Sequence, residues 1–381
     1  MTSASERRPG WPAMYDGQRR VLRDLIVHGD RSRVELARRM DVSRASLSRI
    51  TRELIDLGLV AEGAIQYSAT RGRPSELVHV RAGAASFAGF KLTGTDLYAV
   101  VTDLSATVIA EYEEPLASTE PEAVADQIAA VAGRILDGVP LAAAIGVCLA
   151  GDVFERDGVQ LVERSSFLGW SSTPLRDLVE SRVDLPVTVS NDVVSLTAGH
   201  HWFGAGVGAE TLVVYGLGAG IGAGVVVHDE VHTGAHGRSG HVGHSRVEGE
   251  GRPCALGHVD CIHSFVTMGS ICFNAGVDDT EYDAVLARAR AGEPTALAAF
   301  ALAAEALGVV IADAVNTIDP EKVLITGEGV DMVGLAPERL RQGLRAELEQ
   351  VDLDSVVIEL PGFSFSDYAR GAAVSAMREL I

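Results

Sequence analysis

Residues 33–58, RVELARRMDVSRASLSRITRELIDLG, constrain the fold of this chain more than any other segment. Val34, Leu36, Ala37 and Met40 repeat at helical spacing, and Asp41-Val42 then breaks the pattern at a tight turn. Ser43 supplies the N-cap of a second helix that runs to about Leu57, with Gly58 as its stop. Leu47, Ile50, Leu54 and Leu57 fall three or four residues apart and face a core, which the amphipathic stretch 18–30 (Val21, Leu22, Leu25, Ile26, ended by Gly29) helps to form. Arg44, Ser46, Ser48, Arg49 and Arg52 lie mostly on the opposite side. Two helices joined in this way, the second polar on one face, make a helix-turn-helix. Its second helix has what DNA reading requires: side chains near the N-terminus that reach base edges, with Ser43 and the Arg and Ser residues placed for bases and phosphates.

Residues 59–68 and 76–80 read as two strands with ATRGRPS between them, so Arg71 and Arg73 sit at a hairpin tip. That completes a winged helix-turn-helix. An Arg-Gly-Arg tip suits a narrow minor groove, because glycine lets the backbone approach while both guanidiniums reach inward. RGRP also resembles the core of an AT-hook, and a generic phosphate-facing wing is the plainer alternative.

The charge distribution supports a separate nucleic-acid module. The chain carries a formal net charge of −20, but residues 1–82 hold 15 Arg against 10 acidic residues, a net of +5. The remaining 299 residues hold 17 basic and 42 acidic residues, a net of −25, and such a body would itself repel phosphate. No apolar run approaches the roughly 18–20 residues of a membrane span, and MTSASERRPGW lacks the apolar segment of a signal peptide. Four scattered cysteines (Cys148, Cys254, Cys261, Cys272) are too few for a disulfide framework. The expectation is a cytoplasmic protein with reduced thiols and no membrane partner.

From residue 86 the pattern changes. Residues 86–116 read as three strands, 121–136 as a helix and 143–154 as a buried strand. The order restarts at 211–234, and 322–330 follows a long helix over 298–317. The expected architecture is α/β: a winged helix-turn-helix over 1–82 and a body over 83–381. The body has two lobes, about 83–190 plus the C-terminal helix, and 191–366. GLGAGIGAG (216–224) gives no G-x-G-x-x-G register and lies between strands, so it is not a dinucleotide loop. A glycine hairpin of this kind can cradle phosphate with backbone N–H groups, as in a sugar-kinase-like fold.

The chain resembles the repressor–ORF–kinase (ROK) family over essentially its full length. The resemblance rests on 89-GFKLTGTDLYAVVTDL-104, 168-LGWSSTPL-175, 191-NDVVSLTAGHHWFGA-205, 211-TLVVYGLGAGIGAGVVV-227, 237-GRSGHVGH-244, 254-CALGHVDC-261 and 369-ARGAA-373. With the winged helix in front, it resembles the transcription-factor branch. The resemblance implies an actin-like ATPase fold, ATP and sugar sites in the kinases, and a structural zinc.

Three departures shape the functional expectation. Where family kinases have D-x-G-G-T, this chain has Lys91-Leu92-Thr93-Gly94-Thr95. Where they have G-T-G-x-G, it has Gly218-Ala219-Gly220-Ile221-Gly222. Phosphoryl transfer needs positioned metal and phosphate contacts, so neither ATP binding nor kinase activity is expected. Asn191-Asp192 matches the pair containing the kinases' catalytic base. It reads here as an acceptor of sugar hydroxyls, with turn hydrogen bonds the plainer alternative. The sugar motif G-E-x-G-H is Gly240-His241-Val242-Gly243-His244, a second family glutamate is His263, and the asparagine before L-G-W is Phe167. Phe167, Asn191, Asp192, His241, His244 and His263 are thus the candidate effector residues, and protonated imidazoles would suit a sugar phosphate or acidic sugar.

The zinc motif retains His244, Cys254 and Cys261, but Leu256 stands at the middle cysteine and Asp260 at the second glycine. A structural zinc wants four protein ligands, for which His258 or His263 is a candidate; a metal-free loop with buried thiols is the alternative. The function implied is a DNA-binding transcriptional regulator of the repressor sign usual in the family. It would act as a homodimer or dimer of dimers on a palindromic double-stranded operator, controlled by a sugar or sugar derivative. The alternatives are a sugar kinase that also binds DNA, and an effector-less or metal-responsive regulator.

Overall fold

The computed structural model describes residues 10–66 and 75–381, so Arg71 and Arg73 of the expected wing tip lie outside the described residues. Helices α1 (Asp16–His28), α2 (Arg33–Met40) and α3 (Arg44–Asp56) form because their apolar residues share one face each. Leu22, Leu25, Leu36, Leu47 and Leu54 are buried where the three meet. Ser32 and Glu35 cap α2 reciprocally, and Asp41 ends it in the left-handed region at φ 54°. Ser43 Oγ accepts the Ser46 N–H at 3.1 Å and starts α3 where the sequence places the cap. Strands β1 (Arg31–Ser32), β2 (Val60–Gln66) and β3 (Ser75–Val80) form an antiparallel sheet in the order β1-β3-β2, and the β2–β3 register runs from Val60↔Val80 to Gln66↔Ser75. β1 is too short to leave a periodic trace in the sequence.

The segment after β3 is tied on both sides. Arg81 N–H donates to Leu59 O, and Leu104 N–H donates to Ala82 O, both at 2.9 Å. Beyond it, β4 (Ser86–Leu92), β5 (Asp96–Asp103), β6 (Val108–Pro115), β7 (Ala142–Leu149) and β11 (Val187–Asn191) make a five-stranded sheet in the order β11-β7-β4-β5-β6. β4 and β7 are buried along their whole length, as central strands must be. Helix α4 (Pro121–Ile135) covers the sheet through Val124, Ile128 and Val131, α5 is Leu175–Glu180, and α6 (Asp192–Phe203) follows β11 directly. The single strand expected over 143–154 is in fact two. The chain turns at Gly151, and β8 (Asp152–Arg156) pairs with β9 (Val159–Ser165) and β10 (Trp170–Thr173) in a separate small sheet.

A second five-stranded sheet contains β12 (Leu212–Leu217), β13 (Ile221–Val227), β14 (Glu230–His232), β15 (Lys322–Thr326) and β16 (Ile358–Glu359), in the order β14-β13-β12-β15-β16. Its helices are α7 (His263–Val266), α8 (Met268–Asn274), α9 (Tyr282–Arg290), α10 (Pro294–Ile318), α11 (Asp331–Leu335) and α12 (Pro337–Glu347). α10 is long and apolar enough to cross a membrane by length and composition, but Phe300, Ala303, Ala304, Leu307 and Ile311 are fully buried in the core beside this sheet. The closing helix α13 (Ser366–Leu380) packs on the first sheet. There a Cβ at Gly89 or Gly146 would run into the backbone of α13 at Ala369 or Ala372, so glycine permits the close approach. By packing, the chain forms two units, Met1–Phe203 with Tyr368–Ile381, and Gly204–Asp367. The first unit includes Asn191 and α6.

Candidate functional site

Helix α3 turns Leu47, Ile50, Thr51 and Leu54 inward and leaves Arg44, Ser48, Arg49 and Arg52 exposed. Ser43 and Ser46 are engaged in starting the helix, with their hydroxyl oxygens 2.9 Å apart. Arg49 is held by neighbours: its Nη1 donates to Glu53 Oε1 at 2.9 Å and to the Tyr15 hydroxyl at 3.3 Å.

In the first unit, Lys91 of β4 extends to Asp192 at the start of α6, 101 residues away in sequence, and its ammonium donates to Asp192 Oδ2. Both residues are nearly buried, at 5% and 9% exposure. The Lys91 ammonium also lies 4.5 Å from the centre of the Tyr368 ring, a cation–π contact from α13. Asp192 Oδ1 accepts its own neighbour's N–H, from Val193, at 2.9 Å. Asn191 donates to Gly151 O at 3.0 Å and accepts the Val193 N–H at 2.8 Å. The side chains expected to accept sugar hydroxyls thus already hold internal partners: Asn191 makes the turn bonds of the plainer reading, and Asp192 is paired with a lysine. Beside them, burial pushes the Cys148 thiol up to about 12. Phe167 is 53% exposed on the loop before Trp170, with its carbonyl against Gly94 of the β4–β5 turn.

In the second unit the glycine turn between β12 and β13 is occupied from within. Gly218 N–H donates to Gly220 O at 2.9 Å, so that donor is not aimed at a ligand. The Glu328 carboxylate lies over Gly218 so closely that a Cβ there would be 2.6 Å from Glu328 Oε2. Glu328 also lines a cavity of about 580 Å³ with Arg290, Gly327, Asp331, Leu335 and Phe363, where Arg290 is paired with Asp331 at 2.6 Å. The expected phosphate cradle therefore meets a carboxylate, which repels phosphate.

His244, Cys254, His258 and Cys261 converge, with one ligand atom from each lying within 4.8 Å of all the others. His244 Nδ1 is 3.6 Å from Cys254 Sγ and 3.8 Å from Cys261 Sγ. Burial opposes the Cys254 thiolate. Hydrogen bonds from the backbone of Leu256, His258 and Gly257, with Cys261, nevertheless hold its pKa below the ordinary value. Leu256, at the missing cysteine position, is 63% exposed, and Asp260 is paired with Arg246. His263 stands outside this group of four and stacks on His244, with ring centres 6.0 Å apart. Burial, then His244 and Arg252, lower its pKa. His241 is exposed on the turn after Gly240. Of the three imidazoles expected to meet an anion, His244 belongs to the metal-type cluster, His263 stacks on it and His241 is exposed.

Comparisons with known proteins agree on one lineage. The sequence profile of the ROK family matches residues 87–379. A xylose repressor of Caldicellulosiruptor bescii is 24% identical over 343 residues, covering 84% of this chain and 85% of that protein. The DNA-binding transcriptional dual regulator NagC of Escherichia coli K12 is 26% identical over 325 residues, covering 81% and 79%. Among solved structures, a ROK family transcriptional regulator described as a homolog of the E. coli MLC protein superposes with a TM-score of 0.79 at 22% identity. It spans 94% of this chain and 95% of that one, which shows the fold.

Proposed function

The chain belongs to the ROK family, and on that premise we propose that it is a DNA-binding repressor of sugar-utilisation genes, controlled by a sugar or sugar derivative. The observation that carries this is α3: a capped, packed helix whose exposed face holds Arg44, Ser48, Arg49 and Arg52. Residues 1–82 would bind a double-stranded, palindromic operator in the cytoplasm, with Arg71 and Arg73 at the wing tip. Residues 83–381 would bind the effector and form a homodimer or a dimer of dimers. The body would not transfer phosphate, because Lys91 pairs with the would-be base Asp192 and Glu328 lies on the would-be phosphate loop. Phe167, Asn191, Asp192, His241, His244 and His263 are the residues to test for effector contact.

Effector control requires unequal affinity for two arrangements of the molecule. A contiguous route in the first unit supports it. Tyr368 touches Lys91, Arg370 two residues along α13 donates to Ala106 O at 2.8 Å, and Leu104, in the same β5–β6 turn as Ala106, is bonded to Ala82 beside the DNA module.

The donor set His244, Cys254, His258 and Cys261 fits a structural zinc: two thiols, two imidazoles and a depressed thiol pKa. Zinc would cross-link the loop 244–261. Metal analysis of protein purified without added zinc should find about one equivalent per chain, lost in Cys254→Ser. The functional test titrates neutral sugars, sugar phosphates and uronic acids against the protein–DNA complex. Release by one class without ATP supports the reading. ATP-dependent phosphorylation of a sugar, lost in Asp192→Asn, would favour the kinase alternative, and zinc-dependent release absent in His244→Ala the metal-responsive one.

A further inference from the structure

The three arginines exposed on α3 are not equivalent. Arg44 and Arg52 make no ion pair among the described residues, whereas Arg49, with its side chain 62% exposed, is held in place. Its Nη1 contacts Glu53 and Tyr15, and its guanidinium carbon lies 5.8 Å from the Tyr15 ring centre. Glu53 is itself fixed from a second helix. Its Oε2 accepts from the Tyr15 hydroxyl at 2.7 Å and from Gln18 Nε2 at 3.1 Å. Gln18 is 7% exposed and locked in turn, because its Oε1 accepts the Tyr15 N–H at 3.2 Å.

An i,i+4 ion pair alone would need only α3 and contributes a few tenths of a kcal/mol to an exposed helix. It does not account for two residues at the start of α1 converging on the same carboxylate. The arrangement fixes a long side chain that would otherwise lose rotamer freedom on binding, which lowers the entropic cost of contact. Only Nη1 is occupied. Nε and Nη2 carry no hydrogen bond among the described residues, and that edge matches the O6/N7 acceptor pair of guanine. A carboxylate this close to DNA is repelled by phosphates, so it suits a site aimed at a base edge rather than at the backbone.

We propose that Tyr15, Gln18 and Glu53 are positioning residues that hold Arg49 to read a guanine in the major groove, while Arg44 and Arg52 contact phosphates. This rests on the DNA-binding reading above and sharpens it to one G·C pair in each half-site.

The test selects binding sites for the full chain from a randomised duplex pool. It then measures the selected duplex, its single-base variants and an unrelated duplex across a salt series. Arg49→Ala should lose roughly 10- to 100-fold in preference at one G·C pair. Glu53→Ala should lose about three- to tenfold at that same pair, with affinity for the unrelated duplex equal or higher. Glu53→Gln, which keeps an acceptor, should recover most of the preference. Tyr15→Phe, which removes only a hydroxyl, should repeat the loss in weaker form. Arg44→Ala and Arg52→Ala should instead weaken all duplexes alike and lower the salt slope by about one each. The proposal falls if Glu53→Ala and Tyr15→Phe weaken selected and unrelated duplexes by the same factor, or if Glu53→Ala alters preference at a different base pair. If the unaltered chain enriches no sequence, the regulator reading falls first and this proposal with it.

Discussion

The two five-stranded sheets run through the same strand order and the same directions, yet each fills its first hairpin with the opposite charge. In both, two parallel steps lead to a central strand and two antiparallel steps lead out. The first places a cation, Lys91, on the Asp192 carboxylate at the start of α6; the second places a carboxylate, Glu328, on the glycine turn. Burial separates their consequences. Lys91 and Asp192 are enclosed, so their pairing is a condition of stability. Glu328 is half-buried at a cavity edge, so its charge faces whatever binds there. Each sheet therefore sets a charged side chain beside its hairpin, one enclosed in an ion pair and one at the edge of a cavity.

Lys91→Met gives the largest expected effect. It strands a buried carboxylate and should destabilise the protein by about 3–5 kcal/mol in urea unfolding, and Lys91→Met combined with Asp192→Asn should recover most of that loss. A neutral single variant would erase the contrast between the sheets. Glu328→Gly should raise affinity for ATP or tripolyphosphate on the order of tenfold in calorimetry. Unchanged phosphate affinity would mean that the loop is closed by its own Gly218–Gly220 bond alone. Gly218→Ala should cost about 1 kcal/mol in the natural chain and little in the Glu328→Gly background, since the new methyl meets that carboxylate. The smallest effect lies away from both sheets and serves as a control. Hydrogen bonds from the Ser32 backbone and hydroxyl hold Glu35 below its ordinary pKa. Its contribution is present above the ordinary glutamate range and lost as pH falls through the lowered value, and Ser32→Ala should flatten that part of a pH–stability profile.

What could be read from the sequence was local. The helix-turn-helix was legible because period, cap and stop all lie within about 25 residues, and Ser43, Leu47 and Gly58 occupy the expected places. The repeated hairpins were legible for the same reason. Nothing in the neighbourhood of Lys91 names Asp192 as its partner, and nothing near Gly218 names Glu328, because those pairings are set by strand order. The sequence likewise offered two candidates for the place left by Leu256, and the geometry brings His258, not His263, into the cluster. The start of the small sheet was hidden because β8 follows the apolar run of β7 after only Ala150 and Gly151. The roles of Tyr15 and Gln18 escaped because they lie on the helix before the motif and act through Glu53.

The central claim is that an intact DNA-reading face is joined to a sugar-binding body that has lost phosphoryl transfer. Fluorescence anisotropy of the full chain on its selected duplex, titrated with a sugar panel in the presence and absence of ATP, tests it most directly. The expected result is sequence-specific, salt-dependent binding released by one class of sugar equally well with and without ATP. Binding that ignores every sugar, or release that requires ATP and disappears in Asp192→Asn, would contradict it.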